Sequence, residues 1–239
     1  MQASGSPGTT FGRVAAAYAR TRPPYSRAAV ERAARELGLG RDATVLDLGA
    51  GTGNLTRTLR ELFARVVAVE PDEQMRAYFD GEVLAGSAER IPLDDDSVDA
   101  VFAGEAFHWF DHEPALAEIT RVAPALAIFM RSWGETEQPG LLPASVWAEL
   151  DGIWARFHGD TTREEFYDWR EAVPPDGSAQ FEDTIQISGR DLVDLHLTAS
   201  TPASIPDAER AAIAERAYPL MDDVYDLRVV TYVYWKRLR

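Results

Sequence analysis

The chain of 239 residues has no cysteine, which excludes disulfides, thiolate metal sites and a cysteine nucleophile together. It is also short of basic residues. Against 39 Asp and Glu stand 24 Lys and Arg, and the net charge of −15 gives a surface that repels phosphate backbones and anionic lipid. Nucleic acid is therefore not an expected partner, and a small molecule is. No apolar run reaches membrane-spanning length, and the polar start Met1-Gln2-Ala3-Ser4-Gly5-Ser6-Pro7-Gly8 lacks the basic and apolar regions of a signal peptide. The expectation is a cytoplasmic protein without membrane association. His108, His112, His158 and His196 are too scattered to suggest a metal site. What is present is 46% hydrophobic residues, enough to bury one large core, or one core with a small accessory lobe.

Hydrophobic spacing predicts a helix over 10–20, with Phe11, Val14, Ala15 and Tyr18 on one face, and a second, capped by Ser26, running to about Leu37 before Gly38. Strands are expected over 45–48, 66–70, 83–85, 98–103 and 126–130. Helices over 54–63, 72–79 and 113–122 alternate with them. Short links and this alternation are the pattern of a parallel sheet covered on both faces. After Trp133 the pattern changes to aromatic-rich amphipathic helices over 145–157 and 163–169, read as an inserted cap with Trp147, Trp154 and Trp169 packing it. A strand over 181–188, helices over 191–197 and 206–218, and a β-rich run over 225–238 close the chain. The organisation that results is a tail with lid helices over 1–40, a cofactor-binding core over 41–133, a helical cap over 134–178 and a return to the core sheet over 179–239.

Asp47-Leu48-Gly49-Ala50-Gly51-Thr52-Gly53 sets a glycine turn between a buried strand and a helix start, where bare backbone amides can face a ligand. The phase is G-x-G-x-G, and Thr56 stands where a dinucleotide fingerprint wants its third glycine, which argues against an NAD-dependent oxidoreductase. At the end of the next strand Glu70 offers two carboxylate oxygens able to accept both hydroxyls of a ribose.

Together with Tyr18-Ala19-Arg20-Thr21-Arg22-Pro23-Pro24-Tyr25, Val69-Glu70-Pro71-Asp72, Gly86-Ser87-Ala88-Glu89-Arg90-Ile91-Pro92-Leu93 and Ala106-Phe107-His108-Trp109-Phe110-Asp111, this loop resembles the class I S-adenosylmethionine-dependent methyltransferases. Within them the chain is similar to the small-molecule group that includes trans-aconitate methyltransferase-like proteins. The resemblance implies an α/β fold: a Rossmann-like three-layer sandwich, with a seven-stranded, mostly parallel sheet, an antiparallel last strand and a helical cap insertion. It implies S-adenosylmethionine as cofactor and S-adenosylhomocysteine as product. By position, Asp47 and the backbone of Gly49, Ala50, Gly51 and Gly53 would hold the methionine and adenosyl portions. Glu70 would bind the ribose, Pro71 and Met75 would flank the adenine, and Ser87 and Ala88 would face its edge. Family members usually have an acid where Ser87 stands. Gly104 and Glu105 would lie beneath the methionine part, with Tyr18 and Arg22 near its carboxylate. A carboxylate in a partly closed site needs such a donor, although arginines are mostly exposed.

The implied chemistry is in-line methyl transfer to a hydroxyl, carboxylate or carbon of a small molecule, with no covalent enzyme intermediate. His108, just past the fourth strand, is the best-placed base for a hydroxyl acceptor, and its other reading is a pocket wall that moves no proton. Arg131, Arg156, Arg163 and Arg170 are candidates for an anionic substrate, or simply solvated charges. Because fold does not fix reaction, a cofactor-binding cyclase or pericyclic catalyst on the same scaffold stays open beside methyl transfer.

Overall fold

The computed structural model describes residues 14–133, 138, 140–158 and 169–239, with only the backbone described at Ser200. Contacts divide the chain into two compact units. One comprises 24–131, 168–182 and 230–239; the other comprises 1–23, 132–167 and 183–229. The division does not follow the four ranges expected from the sequence.

The larger unit opens with α2 (Arg27–Leu37), for which Ser26 stands at the N-cap without a capping bond from its hydroxyl, contrary to the expectation. Gly38, left-handed at φ 73°, ends it, and Leu39 N–H bonds back to Ala34 O. There follow β1 (Thr44–Leu48), α3 (Asn54–Leu62), β2 (Arg65–Glu70), α4 (Glu73–Arg76), β3 (Leu84–Ala85), β4 (Ala100–Gly104), α5 (His112–Val122) and β5 (Ala125–Ser132). Strand β4 starts two residues later than expected, because Val98 N–H bonds to Val122 O rather than to a ladder partner. α4 stops at Arg76 instead of near Phe79.

The sheet runs β3-β2-β1-β4-β5-β7-β6, with β6 at Gly177–Ser188 and β7 at Val224–Arg237. Pairings β1 with β2, β1 with β4, β2 with β3 and β4 with β5 are parallel, in the register Asp47 opposite Ala68 and Phe102. Leu238 N–H reaches Pro124 O, so the end of β7 meets the start of β5 and the last strand is antiparallel. Asp176 N–H reaches Trp235 O, which makes β6 antiparallel to β7 in turn. This is the seven-stranded Rossmann-like sheet that the resemblance implied.

Alternate strand residues feed two cores, as the period of a strand requires. Val101 and Ala103 of β4 pack with Leu46, Leu48, Val69 and Leu126 against Ala115, Ile119 and Val122 of α5. Ala100 and Phe102 face the other way, onto α2 and α3, where Phe102 stacks on Phe129 with centroids 5.9 Å apart. Trp169, read from the sequence as part of the insertion, belongs to the first of these cores and meets Phe107 edge-on at 5.5 Å.

The second unit holds α1 (Ala15–Thr21), α6 (Ala144–His158), α7 (Gly189–Leu197), α8 (Ser200–Ala203) and α9 (Asp207–Ala217) among its described residues. Its core draws on Leu141, Val146, Leu150 and Ile153, on Leu192 and Leu195 of α7, and on Ile213, Leu227 and Val229. α1 is tied to α7 by Arg20, which pairs with Asp191 at 2.9 Å and Asp194 at 2.5 Å. Residues 10–13 and 163–168 of the expected helices lie outside the described residues.

Candidate cofactor site

After β1 the chain turns across the end of β2, with Gly49 N–H and Ala50 N–H both donating to Val69 O at 2.9 and 3.0 Å. Gly49, Gly51 and Gly53 all adopt left-handed φ, of 71°, 58° and 81°. A side chain at Gly49 is excluded twice, by that φ and by space: a Cβ there would sit 2.7 Å from Ala106 Cβ. Gly53 is then the N-cap of α3 and offers no side-chain cap.

Asp47 lies under this loop with no exposed surface. Its Oδ2 accepts the Thr56 hydroxyl at 2.5 Å, and its Oδ1 has no partner. Burial, with help from the Glu70 charge, pushes its pKa up to about 7 against the opposing Thr56 bonds. Thr52, in the loop itself, is also buried with an unpartnered hydroxyl. Such groups cost about 1–3 kcal/mol each when left unmade, so two in one loop mark a place built for polar company. Neither Thr52 nor Thr56 was singled out as a ligand group from the sequence, because a hydroxyl's lack of partners is not visible there.

Glu70 is buried, as expected of a gripping carboxylate, and both its oxygens already accept backbone protons: Oε2 from Gly51 at 2.8 Å and Oε1 from Asp72 at 2.9 Å. Each oxygen keeps lone-pair capacity for a hydroxyl. Burial raises its pKa and these two bonds oppose the rise. Asp72 caps α4 through Gln74 N–H and Met75 N–H, while Arg76 bonds to the carbonyls of Glu70 and Pro71, at 2.8 and 2.7 Å. Met75 is thereby turned inward, where its methyl would lie 3.3 Å from a Cβ on Gly51. Ala88 is buried beside Leu48 and Val69 in one core, and Ser87 is half-buried, bridged to Arg90.

At the end of β4, Gly104 has no room for a side chain, since a Cβ would stand 2.6 Å from the Tyr25 hydroxyl. Glu105 follows with φ 54°, its N–H bonded to Phe129 O at 2.9 Å. The Arg131 N–H donates to Glu105 Oε1, and the Arg131 guanidinium lies 3.8 Å from the centre of the Tyr25 ring. Arg131 is thus no solvated charge: its side chain is 1% exposed at the end of β5. The strand period puts it inward. His108 sits in a short 3-10 turn (Phe107–Trp109), its ring centre 4.9 Å from that of Trp109, and burial aided by His112 pushes its pKa down to about 3.

The structure brings together Asp47, Gly49, Ala50, Gly51, Gly53, Glu70, Pro71, Met75, Ser87, Ala88, Gly104, Glu105 and His108 within the larger unit. Tyr18 and Arg22 belong to the other. There Arg22 Nη2 donates to Thr198 O at 2.8 Å, and its guanidinium lies 4.4 Å from the Tyr18 ring centre. Among the described residues no three His, Asp or Glu side chains are placed to hold a metal ion.

Residues 46–127 match the family model for a methyltransferase domain. An uncharacterized methyltransferase of Mycobacterium tuberculosis is 46% identical over 122 residues, 47% of each chain. A malonyl-[acyl-carrier protein] O-methyltransferase of Yersinia pestis is 34% identical over 154 residues, 58% of this chain and 56% of that one. The chain spans about half the length of the curated relatives it matches. A solved structure from Anaeromyxobacter dehalogenans, assigned as a type II methyltransferase, shares the fold with a TM-score of 0.58 at 24% identity, covering 91% of this chain and 98% of that one. Sheet order, glycine loop and sequence match point to one class, the Rossmann-like methyltransferase domains. Over residues 46–127 the chain carries a methyltransferase domain, set in the Rossmann-like fold that the solved structure shares.

Proposed function

We propose that the protein transfers the methyl group of S-adenosylmethionine to an acidic small-molecule acceptor, releasing S-adenosylhomocysteine. The observation that carries this reading is the loop at 49–53, held left-handed at three glycines over a buried Asp47 whose Oδ1 lacks a partner. The residues fit the cofactor: Gly49, Gly51 and Gly53 put no side chains into the loop, whose N–H groups are tied to Val69 O, Glu70 Oε2 and Ala50 O and so hold its shape, and Asp47 Oδ1 accepts a donor such as an ammonium. Glu70 receives the ribose hydroxyls, Pro71 and Met75 flank the adenine, and Ser87 and Ala88 meet its edge. When bound, the cofactor supplies an already activated methyl on a positively charged sulfur. The protein's own tasks are alignment of the acceptor and exclusion of water.

Of the two readings of His108, base and pocket wall, the wall fits better. Burial keeps its pKa at about 3, far from the neutral range in which a general base works best. An acceptor that is already ionised needs no base, and a carboxylate is the simplest such group. The Yersinia pestis relative, an O-methyltransferase acting on a malonyl group, supports this choice. The net charge of −15 favours a small acceptor over nucleic acid. Calorimetric titration with S-adenosylhomocysteine tests the binding, and a panel of carboxylic acids with methyl-labelled cofactor tests the transfer. Stabilisation by NAD but not by S-adenosylhomocysteine would sink the reading.

A further inference from the structure

Among the described residues only Asp96 and Glu105 adopt left-handed φ without being glycine. Asp96 sits in an exposed turn, and aspartate tolerates that conformation better than most residues. Glutamate gains no such local relief, and Glu105 is half-buried at the carboxyl end of β4. Something therefore holds it there. Its own N–H is fixed by Phe129 O, and its carboxylate is fixed from β5 by the Arg131 N–H. Arg131 Nε lies 4.0 Å from the same oxygen, and the Tyr25 ring under the guanidinium keeps that side chain in place. The strained peptide runs directly into Ala106, whose Cβ blocks any side chain at Gly49. The turn after β4 thus packs directly against the glycine loop after β1, through Ala106 and Gly49.

We infer that Glu105 is a positioning residue for the cofactor: clamped by Arg131, its side chain locks the left-handed turn after β4 in the orientation that completes the backbone cradle of the glycine loop. The inference rests on the cofactor reading given above. Glu105 acts through Arg131 and the backbone, and its carboxylate takes no part in the chemistry. Glutamine keeps an acceptor oxygen at the same reach, while alanine and glycine remove it. Glycine alone adopts φ 54° without strain.

The discriminating experiment measures melting temperature and S-adenosylhomocysteine affinity for the unsubstituted protein and for Glu105→Gln, Glu105→Ala and Glu105→Gly. Glutamine is expected to restore affinity to within about threefold of the unsubstituted protein, since one neutral hydrogen bond replaces a charge-assisted one. Alanine and glycine should weaken it by roughly five- to thirtyfold, the fold-change that freeing one residue's backbone entails. Glycine should melt above alanine because it relieves the strain, yet bind no more tightly. A side chain that merely supported the fold would move affinity and melting temperature together. Glycine binding within about twofold of the unsubstituted protein, or affinity that follows melting temperature across alanine and glycine, would overturn the inference alone. Failure of the unsubstituted protein to bind S-adenosylhomocysteine would instead overturn the cofactor reading and the inference with it.

Discussion

Replacing Asp47 with asparagine probes the carboxylate on which the loop closes. Burial, reinforced by the Glu70 charge and opposed by Thr56 and Arg60, pushes its pKa up to about 7, whereas in the unfolded chain an aspartate titrates at about 3.9. The folded protein therefore keeps a proton that the unfolded chain has already lost, and stability falls as pH rises from about 4 through 7. At about 1.4 kcal/mol for each pH unit, the full penalty for Asp47 is about 4 kcal/mol. Between about pH 6 and about pH 8.5 it grows by ~1–2 kcal/mol. Asparagine has the same shape, still accepts the Thr56 hydroxyl, and carries no charge. In urea unfolding of the cofactor-free proteins, Asp47→Asn should be the more stable, with its advantage widening by ~1–2 kcal/mol over that pH interval. Groups that titrate alike in both proteins cancel in the comparison. An advantage that stays flat, or shrinks as pH rises, refutes the reasoning, because Asp47 would then not be an ionising, unpartnered carboxyl in that range.

Glu70→Ala removes the acceptor proposed for the ribose together with the bonds to Gly51 and Asp72, and should weaken S-adenosylhomocysteine binding by roughly 1–3 kcal/mol; unchanged affinity in calorimetry would take Glu70 out of the site. Gly49→Ala forces a Cβ to 2.7 Å from Ala106 at φ 71° and should lower stability by roughly 1–3 kcal/mol in urea unfolding, so a midpoint equal to the parent's would contradict the geometry. His108→Ala, judged by the pH profile of methyl transfer once an acceptor is known, should keep kcat within about tenfold and leave the profile's shape alone, whereas a loss on the order of a hundredfold or more would restore the base.

Elements whose residues announce their own surroundings were legible in advance. The turn at 49–53 is one, since three alternating glycines between an apolar strand and a helix have few other uses. Glu70 is another, because its distance from the loop places it at the neighbouring strand's end. Strand β6 was read as starting at Phe181 but begins at Gly177, because Gly177, Ser178 and Ala179 alternate in burial yet are too small to give an apolar signal: a Cβ on Gly177 would stand 2.5 Å from the Trp235 ring. Arg131 was misread because arginine is so often exposed, and its tertiary contacts with Tyr25 and Glu105 accompany its burial. The domain ranges failed to match the two units because β6 and β7, of 12 and 14 residues, are much longer than an ordinary strand and each contributes residues to both units.

Three costly features of the larger unit lie close together, and their placement bears on where a ligand sits. In the smaller unit the charged residues of α1, α6, α7 and α9 answer one another: Arg20 with Asp191 and Asp194, Arg156 with Glu209, Arg216 with Glu149. In the larger unit an ionisable carboxyl is buried with one oxygen idle, a hydroxyl in the same loop is idle, and a glutamate is held left-handed. Asparagine at 47, alanine at 52 and glycine at 105 would each remove one of these burdens without disturbing the sheet. The fold's own stability gives no reason to keep them, since selection for folding alone would favour the cheaper residues. They cluster where β1 and β4 end, which is where ligands bind in open parallel sheets. On the proposed function, a cofactor donating to Asp47 would satisfy its idle oxygen, so a feature that weakens the free protein would increase what binding returns.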